Sequence, residues 1–93
     1  MSAISDTSTI VAAGDLLASA FGDEIVVLNL RDGVYYTLDE VAARIWTLLG
    51  TPAGVPAICD AIAAEYDVEP DRCEHDVRTL LETLASHGLV HVR

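Results

Sequence analysis

Residues 24–49 read EIVVLNLRDGVYYTLDEVAARIWTLL. An apolar run is followed by Asp32-Gly33, by a second strand-like run and then, with no linker, by a helical pattern. No other stretch restricts the fold as much, because it fixes a hairpin and joins it to a helix. Ile25, Val26, Val27, Leu28 and Leu30 favour a strand. They do not alternate cleanly with polar residues, so both faces of the strand are expected to be covered. Asp32-Gly33 suits the positive φ angles of a type I′ turn. In the return run, Val34, Tyr36 and Leu38 share one face, while Tyr35 and Thr37 share the other. Asp39 is placed to cap a helix, and Thr37 with Glu40 offers a competing capping box. Val41, Ala42, Ile45, Trp46 and Leu49 recur at helical spacing up to Gly50.

The rest of the chain falls in around this unit. One further strand is expected between Thr9 and Phe21. Pro52 and Gly54 mark a loop, and Pro56 suits the first turn of a second helix with Ile58, Ala61, Ile62 and Tyr66 on its apolar face. After a break from Asp67 to Pro70, the residues Cys73, Val77, Leu80, Leu81 and Leu84 form the apolar stripe of a third helix, closed by Gly88. The terminal LVHV reads as a short strand or extended tail. Strands followed by helices predict an α+β domain, a small antiparallel sheet on a helical trio, which also suits a winged helix-turn-helix. Residues 1–7 are expected to form a flexible N-terminus, and residues 8–93 a single domain.

Charge narrows the partners. The formal charge is −10, and the five basic residues are all arginine and scattered. Nucleic-acid binding needs clustered cations, so neither DNA nor RNA is an expected partner, and an anionic membrane is not either. A hydrophobic fraction of 52% argues for a folded core despite the acidity. No secretory signal and no apolar run of membrane-spanning length is read, and two cysteines are too few for a disulfide scaffold, so the expected setting is a reduced cytoplasm.

Chemistry has weak candidates. Cys73 and His75 would need two more ligands to hold zinc, and adjacent helical positions point apart. A Cys/His nucleophile would involve Cys59 or Cys73, but neither is flanked by a Gly-rich elbow. The plainer reading is two half-buried or buried thiols, with no metal and no cofactor. Glu65, Asp67, Glu69, Asp71 and Glu74 read as a solvated rim. The sequence gives no sign of an enzyme. The adjacent tyrosines are more telling. The VYYTL strand has no lysine, proline or charge to guard an open edge, so it suits extension by a peptide from another chain. On that reading Tyr36→Pro is expected to remove an edge donor.

These residues carry a resemblance. Gly33, Leu38-Asp39, Ile45-Trp46, Tyr66-Asp67-Val68, Asp76-Val77 and Gly88-Leu89-Val90 stand in the order found in the PqqD-like family of peptide-recognition domains. The likeness covers roughly residues 24 to 90. It implies a winged helix with three N-terminal antiparallel strands and three helices. It also implies binding of the leader segment of a ribosomally made precursor peptide, added as a strand in a groove against the third helix. Carried onto this chain, the groove is Val34, Tyr35, Tyr36 and Thr37 on one side. On the other are Asp76, Leu80 and Thr83, preferred over the Arg78 flank. Members serving pyrroloquinoline quinone assembly typically carry Pro-Glu-Gly where this chain has Arg31-Asp32-Gly33. The sequence is more similar to stand-alone members of lasso-peptide clusters. Those present the leader to a leader peptidase and an ATP-dependent macrocyclase and perform no chemistry themselves. A quinone-pathway peptide chaperone is the alternative, a winged-helix regulator a weaker one. The same open edge would also serve a homodimer.

Overall fold

The computed structural model describes residues 4–93. In chain order the elements are β1 (Thr9–Ala12), β2 (Leu16–Phe21), β3 (Glu24–Asn29), β4 (Val34–Leu38), α1 (Glu40–Leu48), β5 (Ala53–Gly54), α2 (Val55–Tyr66), α3 (Pro70–Ser86) and β6 (Val90–Val92). The fold is α+β, as expected. Its antiparallel sheet of β2, β3 and β4 precedes the three helices, and a second sheet runs in the order β5-β1-β6.

The single strand expected between Thr9 and Phe21 is in fact two, belonging to different sheets. Ala13 N–H donates to the Leu89 carbonyl, then Leu16 N–H to that of Gly14, and the chain leaves one sheet for the other. β1 has no local partner. It pairs with β6 through Ile10–Val92 and with β5 through Ile10–Ala53, both distant in sequence.

The β3–β4 connection corrects the expected type I′ turn. Asn29 stands opposite Val34, so the loop has four residues, Leu30 to Gly33. Of these only Gly33 has positive φ, at 71°. Asp32 instead uses its side chain, its Oδ1 accepting the Val34 N–H at 3.0 Å. Gly33 N–H closes the loop on the Asn29 carbonyl at 2.8 Å. An aspartate that satisfies the backbone two residues on has no need of the left-handed region itself.

The inner face of the three-stranded sheet contributes Val27 and Leu38 to one continuous core. The helices add Ile45 from α1, Ile58 and Ile62 from α2, and Val77, Leu81 and Leu84 from α3. Asp39 is the N-cap of α1, but its side chain makes no capping bond. The helix is instead held by burial of Ala43 and Ile45. Gly33 aside, the local signals are therefore secondary to packing, as is common for short helices.

A hydrogen bond and a ring contact fix β3 and β4 to the end of α3. Asn29, buried, donates from Nδ2 to the carbonyl of His87, the C-cap of α3, at 3.3 Å. The Tyr36 and His87 rings lie 4.7 Å apart. Within the segment expected to be flexible, Ile4 packs into the core. Its carbonyl accepts from Arg78 Nη1.

Candidate functional site

β4 has one neighbour in its sheet, β3, so its other side is an open edge among the described residues. Which backbone groups face that edge follows from the hydrogen-bond alternation of antiparallel pairs. Leu30 N–H donates to the Asp15 carbonyl at 2.9 Å. Leu30 therefore points its backbone toward β2, and by the two-residue period Leu28, Val26 and Glu24 do the same. Ile25, Val27 and Asn29 then face β4, and they stand opposite Leu38, Tyr36 and Val34. Those three residues of β4 turn their backbone groups toward β3, away from the open edge. Tyr35 and Thr37 present their N–H and C=O groups to the open edge.

This reverses one expectation from the sequence. Tyr36 is not an edge donor; its backbone pairs with Val27, and its side chain turns inward to His87. Tyr35 and Thr37 are exposed, with side chains on the outer face of the sheet.

On α3, Asp76, Leu80 and Thr83 follow one another at i+4 and i+3, so they share one side of the helix. Asp76 is exposed and lies 3.7 Å from Arg72 Nε. Leu80 is half-buried against the core, and the exposed Thr83 donates its hydroxyl to the Thr79 carbonyl. Asp76 and Leu80 line a shared apolar hollow of about 160 Å³ with Val41, Ile45, Tyr66 and Val68. That is the scale of a cavity that holds one benzene-sized group, roughly 150 Å³. Thr83 and the four strand residues lie outside the hollow. Val41, Tyr66 and Val68 were not singled out for a site by the sequence. Each was read as an ordinary part of an apolar face or a break, and only the fold brings them to one place.

The other flank of α3 is covered. Arg78 reaches across it from Nη2 to Asp6 at 2.6 Å and to Glu74 at 2.9 Å, besides its bond to Ile4. These acidic partners hold the Arg78 guanidinium above its ordinary pKa.

The thiols sit together on the same side as Asp6. Cys73 is buried and donates its S–H to the Cys59 carbonyl at 3.6 Å. Burial pushes the Cys59 thiol up to about 11, with Cys73 adding to the effect. A thiol held protonated at neutral pH is a poor nucleophile. No group of three His, Cys, Asp or Glu side chains among the described residues is placed to hold a metal ion. No helix among them is long and apolar enough to cross a membrane.

The solved structure "TbiB1 in Complex with the TbiA(beta) Leader Peptide" is similar at 37% identity and a TM-score of 0.81, over 87% of this chain and 94% of that one. The fold is shared with "Lasso peptide synthetase B1 complexed with the leader peptide", at 24% identity and a TM-score of 0.77, over 88% and 96% of the two chains. A search of curated proteins finds no match. The family model described as "Coenzyme PQQ synthesis protein D (PqqD)" matches residues 24–90. With most of its length matched by that model, the chain belongs to the PqqD family.

Proposed function

We propose that this chain binds the leader segment of a ribosomally made precursor peptide by adding it as a strand along β4. In this reading residues 8–93 act as one recognition domain that presents the leader to a leader peptidase and an ATP-dependent macrocyclase in lasso-peptide maturation. The observation that carries it is the open edge at Tyr35 and Thr37, in a chain 37% identical to one solved with a leader peptide. Main-chain bonds at such an edge give affinity, and pockets nearby give specificity. The hollow at Leu80 and Asp76 is the pocket we assign to an apolar leader side chain. Two things favour the Asp76 flank: its apolar hollow, and the N-terminal segment already laid over the Arg78 side. Val34 and Tyr36 support the edge from behind, Tyr36 through His87.

The chain acts as a carrier, not as the catalyst. The raised Cys59 thiol speaks against nucleophilic use of that group. Fluorescence polarisation with a labelled cognate leader tests the proposal. Saturable binding is expected, at least tenfold tighter than to a scrambled sequence of the same composition. Equal affinity for the two peptides sinks it.

A further inference from the structure

Fifteen acidic residues stand against five arginines in this chain, so a cation without a carboxylate partner calls for a reason. Arg44, Arg72 and Arg78 each reach a carboxylate. Arg31 reaches none among the described residues, and its guanidinium donates no hydrogen bond there. The neighbouring Asp32 carboxylate turns to the Val34 N–H instead. Arg31 is nonetheless held in place. The Asn29 side chain, 2% exposed, accepts the Arg31 backbone N–H on Oδ1 at 3.0 Å and donates from Nδ2 to the His87 carbonyl at 3.3 Å. One buried amide thus ties the β3–β4 loop to the end of α3. Gly88 leaves room for the guanidinium, since a Cβ there would lie 3.0 Å from Arg31 Nη2. The C-terminal end of a helix favours a nearby cation, but the last carbonyls of α3 take none of the Arg31 N–H donors.

This corner stands at one end of the proposed groove. His87, the C-cap of α3, follows Thr83 at i+4, so it continues the side of the helix that carries Asp76, Leu80 and Thr83. Its ring rests on that of Tyr36 in β4. Val34, the first residue of β4, stands opposite Asn29 and opens the edge strand at the same place. Arg31, Val34 and His87 are all exposed. A guanidinium fork matches a carboxylate, which it holds through two parallel N–H bonds. From the hollow between Asp76 and Leu80 to His87 is about nine residues of helix, or about 14 Å. An extended strand covers that length in about four residues. The spacing is even, so side chains at both places point to the same, inner face of an added strand.

We infer that Arg31, at the corner formed with His87 and Gly88, determines specificity by taking a carboxylate side chain of the bound leader, about four positions from the apolar side chain seated in the hollow. The inference rests on the leader-carrier reading and adds to it a requirement for an acidic leader residue. The probes are the labelled cognate leader and single variants of it in which each Asp becomes Asn and each Glu becomes Gln. Each is read by polarisation against the full chain and against its Arg31→Gln variant. Arg31→Gln is expected to raise the Kd of the cognate leader about fivefold, the upper range for an exposed ion pair, with an unchanged melting temperature and a smaller effect at high salt. One amide variant of the leader is expected to raise Kd for the wild-type chain by the same factor and to cost nothing further against Arg31→Gln, as a direct pair requires. Because they are measured on unaltered protein, the leader variants decide the matter if Arg31→Gln melts early. An unchanged Kd for a stable Arg31→Gln, amide variants that all bind as the cognate leader does, or strictly additive effects overturn the inference. So does a sensitive carboxylate at an odd spacing from the leader position that couples to Leu80. A cognate leader that binds the wild-type chain no better than its scramble overturns the leader reading itself, and that result is seen before any variant is measured.

Discussion

Proline at Thr37 separates strand addition from every other way of holding a leader. Thr37 points its N–H at the open edge, and its side chain is exposed, so Thr37→Pro removes no ladder bond and little packing. Proline is tolerated on edge strands where its missing N–H faces solvent. A leader added along β4 would lose one of two edge donors and meet the pyrrolidine ring. An acceptor stranded in this way costs about 1–3 kcal/mol. At about 1.4 kcal/mol per tenfold, that is roughly a 5- to 150-fold rise in Kd. Thr37→Ser keeps the N–H and is expected to bind as wild type. Tyr36→Pro is the opposite control. It orphans a partner on Val27 and removes a ring packed on His87, so it is expected to lower the melting temperature sharply whatever the leader does. The assay is polarisation of a labelled leader beside a thermal melt of each variant. A Thr37→Pro protein that melts like wild type and binds the leader with unchanged Kd would refute strand addition at this edge.

Other outcomes follow from individual side chains. Leu80→Ala strips apolar surface from the hollow and is expected to weaken leader binding by about 1–2 kcal/mol, read by the same polarisation assay, because a leader side chain seated there would bury less apolar area. Leu81→Ala, at a fully buried position of α3, is expected to cost roughly 2–5 kcal/mol of stability in urea unfolding, as truncation of a core leucine does. Gly33→Ala forces a side chain into positive φ and is expected to cost about 1 kcal/mol, visible in the same unfolding curves. The Cys59 proton is held more tightly in the folded chain than in the unfolded one. Stability is therefore unaffected below about pH 9 and expected to fall as pH rises from 9 toward 11. Cys59→Ala should remove that slope in chemical unfolding followed across pH, while leaving leader binding intact.

The sequence displayed the parts of the fold that are local. The run from Glu24 to Leu49 reads as strand, strand and helix because its apolar period and Gly33 are signals carried within a few residues. The division of residues 9–21 into β1 and β2 was hidden, since β1 is defined by partners at Ala53–Gly54 and Val90–Val92 rather than by its own pattern. β5, at two residues, is too short for any period to show. The turn at Asp32-Gly33 was misread because the dipeptide suits two loop geometries, and the register of Asn29 against Val34 selects between them. Within the candidate site, the alternation of side chains was legible but the alternation of backbone groups was not. That second parity depends on how β3 pairs with β2, which is what turned the Tyr36 backbone toward β3 and left the backbone groups of Tyr35 and Thr37 free.

A strand with two outward-facing residues can read only a short message. Tyr35 and Thr37 together offer two N–H and two C=O groups, and backbone groups are indifferent to the side chains of whatever lies beside them. Sliding a peptide by one residue along this edge would turn all its side chains over, whereas sliding by two would restore them. The edge thus fixes phase without fixing identity. On the leader-binding proposal, choice among precursors would be left to the few side chains that drop into hollows such as the one at Leu80. If the chain binds leaders as proposed, those leaders are expected to agree at a few spaced positions and to drift elsewhere. The product segment downstream of such a leader would stay free to diversify without renegotiating recognition.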